Sequence, residues 1–153
     1  MPQIAECPDC GNARTLFGRC PHCGSNSLPS LSSDTVELNI KLGNPTVEEA
    51  LDRLTENIRY LQDLGIKTIV LIHGYGSSGE GGRIKRAIHE ALENNRYADR
   101  VDGYYFGEQV PFGSEAYQGV MKQRPGLKQY LRHFKSGNAG MTLLLLGSGR
   151  RSA

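Results

Sequence analysis

Residues 68–92 read TIVLIHGYGSSGEGGRIKRAIHEAL, and this stretch decides how the chain folds. Its first part, residues 69–72, is a short and mostly β-branched apolar run, which is typical of a strand buried on both faces. A glycine-rich turn follows. Apolar residues then recur at helical spacing, as Ile84, Ala87, Ile88, Ala91 and Leu92. The pattern predicts a buried strand, a tight turn and an amphipathic helix.

The junction between this strand and this helix is predicted to bind anions. A helix N-terminus leaves backbone N–H groups without intrahelical partners at the positive end of the helix dipole. Basic side chains in the first turns of the helix add to that charge, and the aromatic ring in the glycine-rich turn is suited to stacking on an exposed base. The candidate phosphate contacts are His73, Gly74, Tyr75, Gly76, Arg83, Lys85 and Arg86.

Three known motifs overlap the same residues, and we discount all of them. Residues 74–79 match the G-x-G-x-x-G of dinucleotide-binding folds, with Asp99 at about the right distance for a ribose contact, but no second mononucleotide half follows. A P-loop needs a Gly-Lys pair, which the sequence lacks. The strand and HG turn also resemble the oxyanion-hole region of α/β-hydrolases, but the sequence contains no G-x-S-x-G elbow.

Length and composition predict an ordinary globular protein. The 153 residues suit one domain with a small appendage, and 38% of them are hydrophobic. No apolar run approaches the ~18 residues that a membrane span needs. Residues 1–7 lack a basic n-region and an apolar h-region, so we expect no signal peptide and a cytoplasmic location.

The net charge of +2 is unevenly distributed along the sequence. Residues 101–153 hold seven Lys or Arg residues against three Asp or Glu residues. A solvated helix face is the ordinary explanation of such an excess. It would support nucleic-acid binding only if it lay beside the cations at residues 83–86.

All four cysteines lie near the start of the sequence, in two C-x-x-C pairs that are each followed by glycine: Cys7, Cys10, Cys20 and Cys23. Four thiolates at this spacing can surround Zn²⁺ tetrahedrally, and a site filled by sulfur has no open position for catalysis. So short a segment buries little apolar surface, so the metal would supply its folding free energy. Two disulfides, a redox C-x-x-C and a rubredoxin-like iron site are the alternatives. We predict a structural zinc ribbon.

The remaining elements follow from periodicity and from capping residues. Residues 36–41 alternate between apolar and polar, which predicts a strand with one wet face. A helix is predicted to start at Thr46, which is spaced for a capping box with Glu49, and to end at Gly65. A third strand at residues 101–106, short helices within residues 115–135 that break at Pro125, and a last strand at residues 141–146 complete the prediction.

This order of elements predicts an α/β fold. A β-α-β-α-β succession favours right-handed crossovers, parallel neighbouring strands and both helices on one face of the sheet. Because the first strand leaves its far face polar, we expect a two-layer α/β sandwich. The expected organisation is a zinc ribbon at residues 1–28, a linker at residues 29–33, the α/β domain at residues 34–147 and a basic tail at residues 148–153.

Taken together, these features resemble the Smr (small MutS-related) domain, here with a zinc ribbon before it. The resemblance is carried by TVEEAL at residues 46–51, by KTIVLIHGYG at residues 67–76, and by G-x-x-G-M-T-L-L at residues 137–144. It implies a sandwich similar to the C-terminal domain of translation initiation factor three, with nucleic acid as the ligand. Some members of the family nick DNA or RNA.

One departure from the family pattern bears on activity. Active members typically carry LDxH on the first strand, where this sequence reads LNIK, so that Asn39 replaces the carboxylate and Lys41 replaces the histidine. Residues two apart on a strand share a face, so both are expected to lie beside His73. Asparagine cannot accept a proton, and a lysine with a pKa of ~10.4 is a poor base at neutral pH.

We therefore predict binding of DNA or RNA with weak or no nicking. The predicted contacts are those of the turn and basic helix together with Asn39 and Lys41. Three alternatives stay open: a nicking endonuclease that uses His73 or an added metal ion, a protein-interaction or ribosome-associated adaptor that docks through the zinc ribbon, and, more distantly, a dinucleotide enzyme. His73 also has a purely structural interpretation, as a hydrogen-bonded residue that holds the turn.

Overall fold

The computed structural model describes residues 4–43, 45–74, 80–134 and 138–147. The chain divides into two compact units, Met1–Asp34 and Thr35–Ala153, which are described separately.

The first unit is small and carries a two-stranded antiparallel sheet. Strand β1, Ala5–Glu6, pairs with strand β2, Ser30–Leu31, and Glu6 also forms an isolated bridge with Ala13. The linker predicted at residues 29–33 therefore contains a paired strand and belongs to the first unit. Its Ser- and Pro-containing composition did not reveal this, because a two-residue strand has no periodicity to detect.

The second unit is built on a four-stranded mixed sheet. Its strands are β3, Thr35–Asn39; β4, Thr68–Ile72; β5, Val101–Phe106; and β6, Met141–Leu146, in the spatial order β3-β4-β6-β5. Strands β3 and β4 are parallel, as predicted. The last strand inserts between β4 and β5 and is antiparallel to both, so the second crossover connects strands that are not neighbours.

Helices connect the strands of this sheet. The α-helices are α1, Val47–Leu64; α2, Glu80–Glu93; and α3, Glu115–Gln123, and 3-10 segments cover Gly107–Gln109 and Pro125–Phe134. Helix α1 begins at a capping box, in which Thr46 Oγ1 accepts from the Glu49 N–H at 3.1 Å and Glu49 Oε1 accepts from the Thr46 N–H at 2.8 Å. It ends at Gly65, which has a φ of 100°. Both ends confirm the sequence prediction.

Both faces of the sheet are covered. Helices α1 and α2 contact each other, and α2 reaches the sheet where its His89 ring stacks on Phe106 of β5. On the other face, side chains of β4 and β6 share a core with α3 and the 3-10 segment that follows it; this core consists of Val70, Val110, Val120, Met121, Leu127, Tyr130, Phe134, Met141, Leu143 and Leu145.

The α/β class is confirmed, but the far face of the sheet is not polar as we expected. The alternation of β3 does put Glu37 on that face. Its carboxylate is held by Arg132 and His133 of the 3-10 segment, at 3.0 and 2.8 Å, instead of facing water. Strands β4 and β6 are apolar on both faces, so the short helices after β5 have a surface to cover.

Candidate nucleic-acid interface and metal centre

The predicted anion site begins where β4 ends. The backbone N–H groups of His73 and Gly74 both donate to the carbonyl oxygen of Gly140, with N···O distances of 3.0 and 3.1 Å. Gly74 has a φ of 78°, a left-handed conformation that favours glycine. These two amides therefore anchor the turn to the residue before β6 and do not face a ligand. Tyr75 and Gly76 lie outside the described residues.

The His73 side chain is fully buried and holds this turn. Its Nδ1 lies 2.7 Å from the carbonyl oxygen of Gly74, and its Nε2 lies 2.8 Å from Oγ1 of Thr142. A carbonyl oxygen can only accept, so Nδ1 carries the hydrogen and Nε2 accepts from the Thr142 hydroxyl. Both ring nitrogens are thus engaged inside the protein.

The protonation of His73 follows from its surroundings. Burial lowers the pKa of His73 to about 4; the Gly74 carbonyl opposes this shift, and nearby His89 and Lys85 add to it. The ring is therefore neutral at pH 7. A general base must reach the proton that it removes, and among the residues that the structure describes the His73 ring nitrogens bond to Gly74 and Thr142.

A second histidine, which the sequence analysis did not single out, packs beside the first. His89 lies edge-on to His73, with ring centroids 5.9 Å apart, and stacks on Phe106 with centroids 3.6 Å apart and an interplanar angle of 14°. Burial, and next the charge of Lys85, lower the pKa of His89. Helical spacing places His89 one turn after Lys85, but nothing in the sequence links either residue to Phe106.

Asn39 and His73 lie on opposite faces of the sheet, contrary to our expectation. Asn39 pairs with Ile72 and so shares its face, which packs against the core of the short helices. His73 bonds to Thr142, whose side chain points to the face of α1 and α2 because its neighbours Met141 and Leu143 belong to the other core. Successive side chains along a strand point to opposite faces of the sheet. His73 follows Ile72 directly, so its side chain lies on the face opposite to that of Ile72 and Asn39.

The side chain of Asn39 closes the turn after β3. Its Oδ1 accepts from the backbone N–H of Lys41 at 3.0 Å, as in turns that an asparagine side chain stabilises. Lys41 itself is exposed. Asn39 therefore has a local structural role, whereas Lys41 presents a cation to solvent.

The cations of α2 have different environments. Arg83 and Arg86 are exposed. Lys85 is not: 18% of its side chain is accessible, and its Nζ lies 3.0 Å from Oε2 of Glu108. Of the three cations predicted to form a basic cluster, two are therefore exposed, and the third, Lys85, forms an ion pair.

Those cations of the last third that the structure describes do not join this cluster. Lys122 lies on α3, Lys128 and Arg132 lie on the second 3-10 segment, and Arg124 lies between these two elements, which cover the face opposite to α2. Arg132 pairs with Glu37, and Arg124 donates to the carbonyl oxygen of Leu146 at 3.2 Å. Lys122 and Lys128 are exposed. The other cations of that excess, Lys135, Arg150 and Arg151, lie outside the described residues.

The first unit brings the four cysteine sulfur atoms together. The Sγ atoms of Cys7 and Cys23 are 3.6 Å apart, those of Cys10 and Cys20 are 3.7 Å apart, and all four lie within 4.8 Å of one another. Bonds of about 2.3 Å from one zinc ion to four tetrahedral sulfur ligands imply S···S separations of about 3.8 Å. The residues present therefore fit a tetrahedral metal, and none of the four cysteines forms a disulfide.

The two C-x-x-C segments have the same backbone geometry. In each, the glycine after the second cysteine donates to the carbonyl oxygen of the first cysteine, at 2.8 Å, and has a φ near 76°: Gly11 at 77° and Gly24 at 75°. Burial raises the pKa of Cys20, but the backbone N–H groups of Cys23 and His22 outweigh it and lower the value to about 6. Such N–H groups stabilise the thiolate, which is the metal-binding form.

Other polar residues brace the cysteine segments. Asp9 accepts from the hydroxyl groups of Ser25 and Ser27, and these bonds lower the pKa of Asp9. Arg14 is buried, and its guanidinium donates to backbone carbonyl oxygens that include those of Thr15 and Ser27. Arg14 thus supports the fold of the unit rather than its surface charge.

The fold and the site define a small α/β domain with a basic strand-to-helix junction, preceded by a four-cysteine unit. The Smr domain family model matches residues 40–117, just over half of the chain, and the chain belongs to this family of nucleic-acid-binding domains. Among solved structures, the crystal structure of the Smr domain of Thermus thermophilus MutS2 is similar, at 25% identity over 74% of this chain and 96% of that one, with a TM-score of 0.43.

None of the curated proteins matches the chain. Within the described ranges, no helix has both the length and the apolar character that crossing a membrane requires.

Proposed function

We propose that this protein binds nucleic acid through the exposed cations beside the β4–α2 junction and cleaves it weakly or not at all. The observation that carries the proposal is the state of the junction: its histidine is neutral, buried and bonded at both ring nitrogens, while Arg83, Arg86 and Lys41 are exposed. Cations at a surface neutralise phosphates and release counterions, which needs no acid–base group.

The test is a salt series on a matched pair of variants. We expect Arg83→Gln with Arg86→Gln to weaken binding of DNA and RNA and to reduce the slope of log K against log salt by about two, because each phosphate contact contributes about one. Fluorescence anisotropy with single-stranded, duplex and branched DNA and with structured RNA would measure this and would reveal the preferred ligand.

The control for this test removes the same charge elsewhere. Lys122→Gln with Lys128→Gln takes two exposed cations from the layer on the opposite face of the sheet. If both double variants changed affinity and slope equally, net charge alone would explain binding, and the proposed location of the interface would be wrong.

Cleavage is tested separately, with the wild-type protein. Plasmid DNA and structured RNA, incubated with it in Mg²⁺, are expected to remain at the background of a mock purification. The endonuclease alternative would be supported by cleavage that His73→Gln abolishes while its nucleic-acid affinity is unchanged.

We also infer that the four-cysteine unit binds one structural zinc ion. The sulfur separations, the paired backbone geometry and the absence of any disulfide among the four cysteines support this. Zinc would supply the tetrahedral cross-link that holds the two C-x-x-C segments together, and Cys7, Cys10, Cys20 and Cys23 would hold it. Metal analysis of the purified chain is expected to find close to one zinc per chain; iron in its place would support the rubredoxin-like alternative.

One observation favours an additional adaptor role for this unit. Phe17 and Leu28 are 41% and 62% exposed although the unit is small. Changing both to serine should leave metal content and nucleic-acid affinity unchanged and should remove any protein partner that co-purifies with the wild-type chain. A partner retained by this variant would argue against the role.

A further inference from the structure

The ion pair between Lys85 and Glu108 joins the basic helix to the residues that follow β5. Lys85 Nζ lies 3.0 Å from Glu108 Oε2, and 48% of the Glu108 side chain is exposed to solvent. Burial raises the pKa of Glu108, but the hydrogen bond from Lys85 outweighs it and holds the pKa below its usual value. The Glu108 carboxyl group is therefore ionised at neutral pH.

The fold holds the backbone of Glu108 independently of the ion pair. The Phe106 N–H donates to Gln109 Oε1 at 2.9 Å, which closes the short 3-10 turn. Gly107 is buried so tightly that a Cβ there would lie 1.8 Å from the carbonyl oxygen of Asn138. The ring of Phe106 stacks on His89, one helical turn after Lys85. The contacts of Phe106, Gly107 and Gln109 thus fix the turn that places Glu108 beside Lys85.

The position of the ion pair matters because Lys85 is one of the three cations of α2, the others being Arg83 and Arg86, which are exposed. The carboxylate of Glu108 neutralises the charge of Lys85, and it offers to the ammonium group the same kind of oxygen acceptor as a phosphate does. A polyanion that approaches the exposed positions on α2 therefore meets a third cation that already has an oxygen partner.

We propose that Lys85 is a phosphate-binding position of this surface and that the carboxylate of Glu108 occupies it in the free protein, as an internal competitor. This proposal rests on the proposed function. When nucleic acid binds, a backbone phosphate replaces the carboxylate on Lys85. The Glu108 side chain turns into the solvent to which it is already half exposed. Glu108 thereby weakens binding and reserves the site for ligands that also engage the neighbouring cations.

The test is a double-mutant cycle on nucleic-acid affinity, with single-stranded and duplex DNA and structured RNA as probes. Glu108→Gln keeps the size and an acceptor oxygen but removes the charge. It is expected to tighten binding roughly three- to tenfold at low salt and to steepen the salt slope by about one, since Lys85 then contributes a full phosphate contact. In a Lys85→Gln background the same change should have little effect.

The matched control is Glu90→Gln, which also removes one negative charge, from an exposed position on α2, the helix that carries Lys85. Its effect is expected to be smaller than that of Glu108→Gln and to be the same with or without Lys85. Melting temperatures of all variants establish that the fold is retained.

The outcomes separate this inference from the function on which it rests. The role of Glu108 as a competitor would be rejected if Glu108→Gln tightened binding no more than Glu90→Gln did, or if it tightened binding equally in the absence of Lys85. In either case, loss of affinity in the Arg83→Gln, Arg86→Gln variant would still support the proposed nucleic-acid interface. If the wild-type chain and all variants failed to bind the probes, both proposals would fall.

Discussion

At the scale of single residues, hydrogen bonding and burial determine the protonation of His73. Its Nδ1–H is held by the Gly74 carbonyl oxygen, and its Nε2 accepts from Thr142. Charging this ring would require it to lose the Thr142 bond and to place a cation in a site without solvent, which is costly. The chain at His73 and Gly74, where β4 ends, is therefore stabilised by the neutral form of the histidine.

This protonation state predicts a pH dependence of stability. The pKa of His73 is about 4 in the folded chain, against ~6.5 when unfolded. Between these values the unfolded chain binds a proton that the folded chain does not, so stability falls as the pH decreases from 6.5 and has lost up to ~3 kcal/mol by pH 4. Urea unfolding at pH 7 and pH 5 should therefore show a loss of ~2 kcal/mol from this residue alone.

The contribution of His73 is isolated by comparing variants. The glutamine of His73→Gln cannot be protonated, so in this variant the difference in unfolding free energy between pH 7 and pH 5 should be ~2 kcal/mol smaller than in wild type. The control is His22→Gln, at an exposed position, which should leave this difference unchanged. Equal pH dependence in all three proteins would contradict the assigned state of His73.

At the scale of elements, local rules determine where helix α1 lies. Thr46 and Glu49 each accept from the other's backbone N–H group, and Gly65 adopts the left-handed conformation that ends the helix. The connection from β3 to α1 begins with the turn that the Asn39 side chain closes. The position of Lys41 relative to the sheet therefore depends on two short side-chain-to-backbone motifs, one on each side of the connection.

The capping box predicts a measurable loss. Thr46→Ala removes the acceptor for the Glu49 N–H and should lower the free energy of unfolding by ~1 kcal/mol. Glu49→Gln preserves an acceptor for the Thr46 N–H, so most of the stability should be retained. Chemical denaturation of the three proteins provides the comparison, and equal stability of Thr46→Ala and wild type would show that the cap contributes nothing.

At the scale of the whole molecule, the two units obtain their stability from different sources. The second unit covers both faces of its sheet with apolar side chains, whereas the first has a two-stranded sheet of two residues per strand. Hydrophobic burial can stabilise the second unit. We infer that the first unit depends instead on a metal ion held by the four sulfur atoms that it brings together.

Metal removal should therefore affect the two units unequally. A strong chelator is expected to unfold the first unit, because zinc contributes ~10 kcal/mol to the folding of such units, while the thermal transition of the α/β unit remains. NMR amide signals of residues 4–34 should collapse to random-coil positions and return when zinc is added back. Retention of these signals after complete metal removal would contradict the structural role of the metal.

The sequence predicted the local features correctly because they depend on near neighbours. The capping box, the stop at Gly65, the break at Pro125 and the two C-x-x-C segments, in which the cysteines are three positions apart, are all short-range. Asn39 shows the limit. Its strand was predicted, but its position relative to His73 depends on the register between β3 and β4, and an offset of one residue reverses the face of the sheet.

By itself, the sequence determined the α/β class, strand β4 and the amphipathic helix α2 after it, and the two cysteine pairs of the first unit. Periodicity, capping and ligand spacing each act over a few residues, so they can be read from the chain alone. Only the tertiary structure decided that the last strand inserts beside β4, that His73 is neutral and engaged, and that Glu108 reaches Lys85. Those contacts join residues 23 or more positions apart, and packing in three dimensions determines which distant groups meet.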